Sequence, residues 1–515
     1  MARLSHPLPW LEPWPLARAL AAEGGSQGLV LLEGDGSAQG QRAVLGVNPV
    51  EILRCGGLPG EPGARDPFVA LAEMERQGGP WLGWLAYEAA AWVEPADHWR
   101  SPGMASLWAA RHDPLLHFDL AARRCWLEGE DPARLAAMLT RLEALIPQLS
   151  ASPQPDPGHR PGREDPVAAG AGLPGTAASW QAQARPAAGE PASGRAPAEA
   201  DSGSEPCSAD QCRPSGPSAS GPVSPDKAET PQPAMAPIPL EAWHWHTPAG
   251  RYAEQVERLL GWIAAGDIFQ ANLTACCETS LSGEADPLAL YARLRHRCPA
   301  PFAGLAIAGD GEAIVSASPE RFLRCEADGR VETRPIKGTR PRHAEAEADA
   351  ASAAELICDP KDRAENVMIV DLLRNDLGRV CQPGSIAVPQ LVGLESYAQV
   401  HHLTSVVTGR LAPGRGVTDL LRACWPGGSI SGAPKLRACQ RLAELEPVPR
   451  GPYCGSLFHL AADGSFDSSI LIRSLMVQGR RLRLQAGGGI VADSDPQGEA
   501  IEMGWKIRPL LEALA

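Results

Sequence analysis

Residues 247–279 read TPAGRYAEQVERLLGWIAAGDIFQANLTACCET, and this stretch decides the fold class. Its first half carries apolar residues at helical spacing, with Thr247-Pro248 as N-cap and first helical position and Gly266 as stop. That predicts a helix over 247–265. Its second half predicts a strand over 268–279. Further strands are predicted at 303–308, 313–317, 320–326, 400–410, 455–460, 468–476 and 481–485. Helices are predicted at about 361–376, ending near Gly378, and at 497–514. Strands follow strands without a βαβ rhythm, so the expected class is α+β rather than a doubly wound parallel sheet.

Upstream, residues 1–147 alternate short apolar runs with Gly/Pro turns, as in Gly28-Leu-Val-Leu-Leu-Glu33 and Pro80-Trp-Leu-Gly-Trp-Leu-Ala-Tyr87. These predict strands of an antiparallel sheet, followed by a helix over 131–149. Between the two parts lies the surplus proline. Residues 151–240 hold 18 of the 50 prolines, one Phe, Trp or Tyr (Trp180) and five Ile, Leu or Val. Such a segment cannot bury enough apolar surface to offset its ordering entropy, so a disordered insert is expected. Length alone, 515 residues, suggests about three domains at ~150 residues each. Composition redraws that as an N-terminal region (1–147), an insert (148–240) and a C-terminal region (241–515). The two flanking regions are expected to share a core, so cutting at the insert should not release two independent domains.

A net charge of −14 excludes a dedicated nucleic-acid binder or a polybasic membrane-surface protein. No run approaches the ~18 apolar residues of a membrane span. Pro7, Pro9, Pro13 and Pro15 break any signal-peptide core. Thirteen cysteines without a CxxC pair or zinc spacing read as reduced thiols, mostly small core residues, and a cytoplasmic location is expected. Cys276-Cys277 are placed on a strand.

Four constellations bear on chemistry. Asp362 with Glu365, and Glu499 with Glu502, each stand at i, i+3 on a predicted helix, so each pair shares a face. Oxygen ligands of this kind suit Mg²⁺; a solvated acidic face explains either pair equally well. Arg334-Pro-Ile-Lys337-Gly-Thr-Arg340-Pro-Arg342 is a basic knot in an acidic chain. Neighbouring arginines would disfavour the protonated lysine and make its amine a better nucleophile, and they suit a small polycarboxylate. An exposed basic turn is the plainer reading. Pro426-Gly-Gly-Ser-Ile-Ser-Gly-Ala-Pro-Lys435 and Ala486-Gly-Gly-Gly-Ile-Val-Ala-Asp493 read as glycine-rich turns able to cradle an anion. Neither is a nucleotide-binding P-loop, since Ala433 stands where that loop needs lysine. His401-His402 lies on a strand, where alternation would turn only one ring inward.

Read in order, GDIFQANLT, SASPERF, RPIKGTRPR, DRAENVMIVDLLRNDLG, VHHLTS, PGGSISGAPK and AGGGIVADSDP resemble the chorismate-utilising enzymes, the family of anthranilate synthase component I. The resemblance covers 247–515 and extends to 1–147 through Leu31-Leu32-Glu33 and Gly83-Trp-Leu-Ala-Tyr87. It implies large antiparallel sheets packed face to face, with helices outside and the active site in a cleft. Members that add water to chorismate carry a lysine base where this chain has Gln270, so the implied nucleophile is ammonia. Anthranilate synthases carry PIAGT where this chain has PIKGT. Lys337, together with PGGS in place of PAGT, resembles the branch that makes 4-amino-4-deoxychorismate on the way to para-aminobenzoate and folate. Anthranilate formation is the alternative.

From that branch the resemblance implies Lys337 as a nucleophile on C2 and Glu320 as the acid for the departing C4 hydroxyl. It implies Mg²⁺ on Glu365 and Glu502, with Asp362 and Glu499 behind. Substrate contacts are implied for Gln270, Gly338, Thr339, His402, Ser429, Tyr453, Arg473, Gly487, Gly488, Gly489 and Lys506. No GxCxGxQ-type nucleophile turn is present, so a separate glutamine amidotransferase subunit is expected to supply ammonia. The chain departs from the family at Phe458-His459, expected to reshape the pocket wall, and at Gly34, where an effector-site serine is missing.

Overall fold

Two antiparallel sheets carry the fold in the computed structural model, which describes residues 3–150, 235–397 and 400–515. The first has twelve strands in the order Leu4–Leu8, Arg124–Gly129, Leu115–Asp119, Arg42–Gly46, Val30–Glu33, Phe302–Gly309, Glu312–Ser318, Ser474–Gln478, Arg481–Ile490, Gln270–Ser280 and Gly432–Ala433, with His244–Trp245 beside Gln270–Ser280. The N-terminal and C-terminal regions meet where Leu31 pairs with Leu305. The ten-stranded second sheet repeats the join, with Ser456–Leu460 beside Trp81–Leu85. Both sheets are therefore built from both regions, as the shared-core expectation required. The class is α+β.

Alternation along the first sheet explains the layering. Leu305, Ile307 and Val315 point into one core, against helices Pro13–Gly24, Ala249–Ala264, Pro287–Arg297 and Pro496–Leu514. Ala306, Ile314 and Met476 point into a second core, shared with the other sheet and with helices Pro67–Gln77, Pro360–Gly378 and Val417–Cys424. The sheets touch face to face. A Cβ on Gly304 would lie 2.5 Å from Leu457, so glycine sets the approach there.

Several local expectations change. The first long helix of the C-terminal region starts at Ala249 with Pro248 as its N-cap; Thr247 is buried and its hydroxyl caps nothing. The expected 468–476 strand is two strands, because the chain changes sheets there. Phe466–Ile470 belongs to the second sheet and Ser474–Gln478 to the first, with the turn made at Arg473 in the left-handed region (φ 49°). The last strand runs on to Ile490, so Gly487, Gly488 and Gly489 lie within a strand rather than a turn. The basic knot is likewise a strand, Ile336–Pro341, bulged between Lys337 and Thr339.

The edges of the insert also move. A helix runs from Pro132 to Ser150, and Ile238 is buried with its N–H donating to the Leu514 carbonyl. Residues 151–234 of the expected insert lie outside the described residues. Cys276 and Cys277 are buried on a strand, and the eleven described cysteines are all free. Among the described residues no helix is long and apolar enough to cross a membrane.

Candidate active site

Three segment ends converge beyond the edge of the first sheet. Gln270 begins the Gln270–Ser280 strand, paired with Ala433 on one side, while Ala271 faces Ile490 on the other. The Pro360–Gly378 and Pro496–Leu514 helices present their first turns to the same place, each capped by an aspartate (Asp359, Asp495) and opened by proline. A Cβ on Gly489 would collide with the Glu365 carboxylate and the Gln270 amide. Glycine at 489 thus lets Glu365 reach the sheet, which is a close-approach role rather than the anion cradle expected of a turn.

Lys337 sits at the centre. Its Nζ donates to Glu365 Oε1 at 2.6 Å and to the Ser429 carbonyl at 3.3 Å. Gln270 Nε2 donates to the same Glu365 oxygen at 2.7 Å, while Gln270 Oε1 is buried and accepts no hydrogen bond from the protein. The bulge at Gly338 (φ 76°) is needed because a Cβ there would stand 2.8 Å from Leu356 and 2.9 Å from Asp362. It turns Thr339 so that its hydroxyl meets His402 Nδ1 at 2.9 Å.

The arginines do not act as the sequence suggested. Arg334 pairs with Glu395, Arg342 with Asp349 at 2.8 Å, and Arg340 with Asp359 at 2.8 Å and Asp362 at 3.3 Å. Their charge is matched by carboxylates. Burial alone would push the Lys337 pKa down, but the charges of Glu365, Glu320 and Glu502 outweigh it and the pKa is raised. The resting lysine is an ion-paired ammonium. Glu320 shows the opposite balance: burial raises its pKa to about 7, against the opposing charge of Lys337. It is a carboxylic acid able to give a proton near neutral pH.

The two carboxylate pairs face each other across the helix ends. Glu499 is buried and accepts from Lys361 at 2.7 Å and from the Ser494 hydroxyl at 2.6 Å. Glu502 pairs with Lys506 at 2.8 Å, whose charge lowers the Glu502 pKa against burial, and Lys506 also donates to the Gly487 carbonyl at 3.1 Å. Burial, reinforced by Asp359, raises Asp362 to about 6 despite Arg340. Among the described residues no three His, Cys, Asp or Glu side chains already stand in metal-binding geometry; three lysines hold the carboxylates instead. The donor set is all oxygen and drawn from two helices, which fits Mg²⁺ in kind. Lys361 escaped the sequence reading, although it stands directly before Asp362.

Arg473 lies on the other wall. No carboxylate among the described residues pairs with it, and burial lowers its pKa. Its charge adds to burial in pushing His402 down to about 4, so the neutral imidazole faces an uncompensated guanidinium. Both neighbouring histidines are buried, contrary to the alternation argument. His402 meets Thr339, while on the opposite face the Ala346–Cys358 helix covers His401, which hydrogen-bonds Asp349 at 3.1 Å.

Tyr453 is buried, with Cys454, Arg450 and Glu446 around it. Phe458 stacks on Phe466, and the His459 ring lies 6.4 Å from that of His117, so this pair shapes the core rather than the pocket wall. At Gly34 a Cβ would fall on the Gly40 backbone, which leaves no room for the missing serine.

A nearly buried lysine, a buried acid with its pKa raised to about 7, an arginine without a carboxylate partner among the described residues and two helix-borne carboxylate pairs thus stand around one site. Residues 199–512, more than half of the chain, match the family described as chorismate binding enzyme. The chain belongs to the chorismate binding enzymes. Aminodeoxychorismate synthase component 1 of Salmonella typhimurium is 44% identical over 283 residues, 55% of this chain and 62% of that protein. Anthranilate synthase component 1 of Streptomyces coelicolor is also 44% identical, over 53% of each chain. The crystal structure of anthranilate synthase component I from Streptococcus pneumoniae TIGR4 superposes with a TM-score of 0.66 at 25% identity, covering 92% of both chains. The match spans only about half to three-fifths of the length of these curated relatives. Identity alone does not separate the two activities they carry among the chorismate binding enzymes.

Proposed function

We propose that this chain aminates chorismate at C4 to give 4-amino-4-deoxychorismate, using ammonia released by a separate glutamine-hydrolysing subunit. The observation that carries the reading is the lysine in the cleft, Lys337, held within reach of both Glu365 and the Ser429 loop. Glu320, neutral near pH 7, is the acid for the departing C4 hydroxyl. Lys337 passes a proton to Glu365 Oε1 and its amine attacks C2; the ring double bonds shift and C4 loses its hydroxyl as water, protonated by Glu320. Ammonia then adds at C4 and gives its extra proton to the Glu320 carboxylate, while the shift in reverse releases the Lys337 amine from C2 to take back the proton held by Glu365. Gln270 cannot deprotonate water, but its free Oε1 can accept an N–H of ammonia.

Arg473 supplies a positive charge for a substrate carboxylate, with His402 and Thr339 beside it. Glu365 and Glu502 would hold Mg²⁺, with Asp362 and Glu499 behind them; bound Mg²⁺ would neutralise carboxylate charge on the substrate. The name "component 1" shared by these relatives supports a partner subunit.

Anthranilate formation is the second reading, favoured by relatives of equal identity. Purified protein incubated with chorismate, Mg²⁺ and ammonium decides between them. The expected product is 4-amino-4-deoxychorismate without pyruvate; anthranilate with stoichiometric pyruvate would replace the first reading by the second.

A further inference from the structure

Ser429 stands between the two groups that the proposed chemistry needs. Its carbonyl accepts from Lys337 Nζ at 3.3 Å, while its hydroxyl faces the Glu320 carboxyl and favours the ionised form. Ser429 lies in a single short turn, Gly428–Ile430, so its place is set by what grips that turn. Arg450, which the chemistry above leaves unused, supplies the grip. It is fully buried, and Nη1 donates to the Ile430 carbonyl at 2.7 Å while Nη2 donates to the Asn272 carbonyl at 2.6 Å. Nε and Nη2 also donate to the two oxygens of Glu446, at 2.9 and 2.7 Å. Ile430 follows Ser429 directly, and Asn272 lies two residues beyond Gln270. One planar guanidinium thus spans the turn of Ser429 and the strand of Gln270.

The clamp is itself fixed. The Arg450 backbone N–H donates to Glu88 Oε1 at 2.8 Å, and its carbonyl accepts from Gln485 Nε2 at 3.0 Å. Glu446 Oε1 accepts from the Thr274 N–H at 3.1 Å, and the Tyr87 ring lies 4.6 Å from the guanidinium carbon. Stability alone does not account for the arrangement. Desolvation offsets most of the attraction in a buried ion pair, and apolar side chains of similar volume often serve a core as well. What an arginine fork adds is two carbonyls held in one fixed geometry. Backbone pairing ties Ala433, Gly432 and Ser431 to the Gln270 strand, and Arg450 carries the attachment on to Ile430, beside Ser429.

We propose that Arg450 is a positioning residue, whose clamp on the Ile430 and Asn272 carbonyls sets Ser429 against both Lys337 and Glu320. The inference deepens the proposed function: it rests on the roles given there to Lys337 and Glu320, and not on which product is formed. Buried behind the turn, Arg450 acts through Ser429.

Arg450→Lys tests this, because it keeps the charge beside Glu446 but lacks the fork that reaches two carbonyls at once. In the full chain with chorismate, Mg²⁺ and ammonium, it should lower kcat about 10- to 100-fold and leave the chorismate KM unchanged. The alkaline limb of kcat should also move to higher pH. A displaced Ser429 no longer favours the ionised Glu320, while burial, the Lys337 charge and the Ile336 N–H stay as they are. Unfolding would lower kcat without moving the limb, so circular dichroism of each sample separates a scaffold from a positioning role. Should Arg450→Lys not fold, Glu446→Gln, which loosens the same guanidinium, is read by the same criteria. A folded variant with parental kcat and limb, or a loss matched by the unfolded fraction, would overturn the clamp. Anthranilate as product would remove the amination reading and leave this test standing. An alkaline limb that persists in Glu320→Gln would remove the acid assignment, and the split between kcat and KM then decides alone.

Discussion

Lys337 Nζ and Glu365 Oε1 are 2.6 Å apart, which ties the Ile336–Pro341 strand at the edge of the second sheet to the Pro360–Gly378 helix. Both side chains are nearly buried, so neither charge has water as a substitute partner. Breaking such a pair from one side leaves a carboxylate uncompensated, at a cost of about 3–5 kcal/mol. Lys337→Met should therefore lose stability by that order in urea titrations, and should also lose amination. A variant that stays as stable as the parent would show that the ion pair does not persist in solution. One that retains turnover would remove the covalent role.

On the proposed mechanism Glu320 should set the alkaline limb of activity. The acid form would be the working form, and burial raises its pKa to about 7, so kcat should fall as pH rises through that value. Glu320→Gln should reduce kcat by about 10²–10⁴-fold and flatten this limb. A full-strength alkaline limb in the variant would assign the titration to another group.

Acid should loosen the junction of the two regions. Burial lowers His112 and His117 to about 4 and His459 to about 3. Around them stand Glu128, Asp463, Arg3 and Arg42. A depressed folded pKa contributes stability above the unfolded value near 6.5, and that stability is lost as pH falls towards 4. Urea midpoints should fall steadily between pH 6.5 and 4, and His459→Gln should shallow the slope. A flat profile would mean that these rings are hydrated.

Most of the site was legible because its residues sit in short motifs that also fix the backbone. Lys337, Gly338 and Thr339 are consecutive, and the two carboxylate pairs fall on helices that carry their own Asp and Pro start signals. What the sequence concealed was pairing across the fold. Arg340 and Arg342 look like neighbours that would repel a proton from Lys337, yet each finds a carboxylate on a helix that sequence distance does not advertise. Gly489 reads as a turn residue, whereas its glycine is required by Glu365, 124 positions earlier. The change of sheet at Arg473 was hidden for a similar reason, since apolar character continues on both sides of it.

Arg473 provides the sharpest separation of binding from chemistry. Its left-handed backbone and lack of a carboxylate partner among the described residues leave a guanidinium held ready for an external anion. A charge-assisted hydrogen bond of about 1.5–3 kcal/mol corresponds to a 10- to 150-fold change in affinity. Arg473→Gln should raise the chorismate KM within that range and alter kcat far less. The same substitution removes a positive charge that depresses His402, so the His402 pKa should rise from about 4 towards its ordinary value. NMR titration of the imidazole reads that shift without substrate. If KM moves while His402 does not, Arg473 binds chorismate from a position more distant from His402 than the structure gives. If neither moves, the anion site lies elsewhere in the cleft.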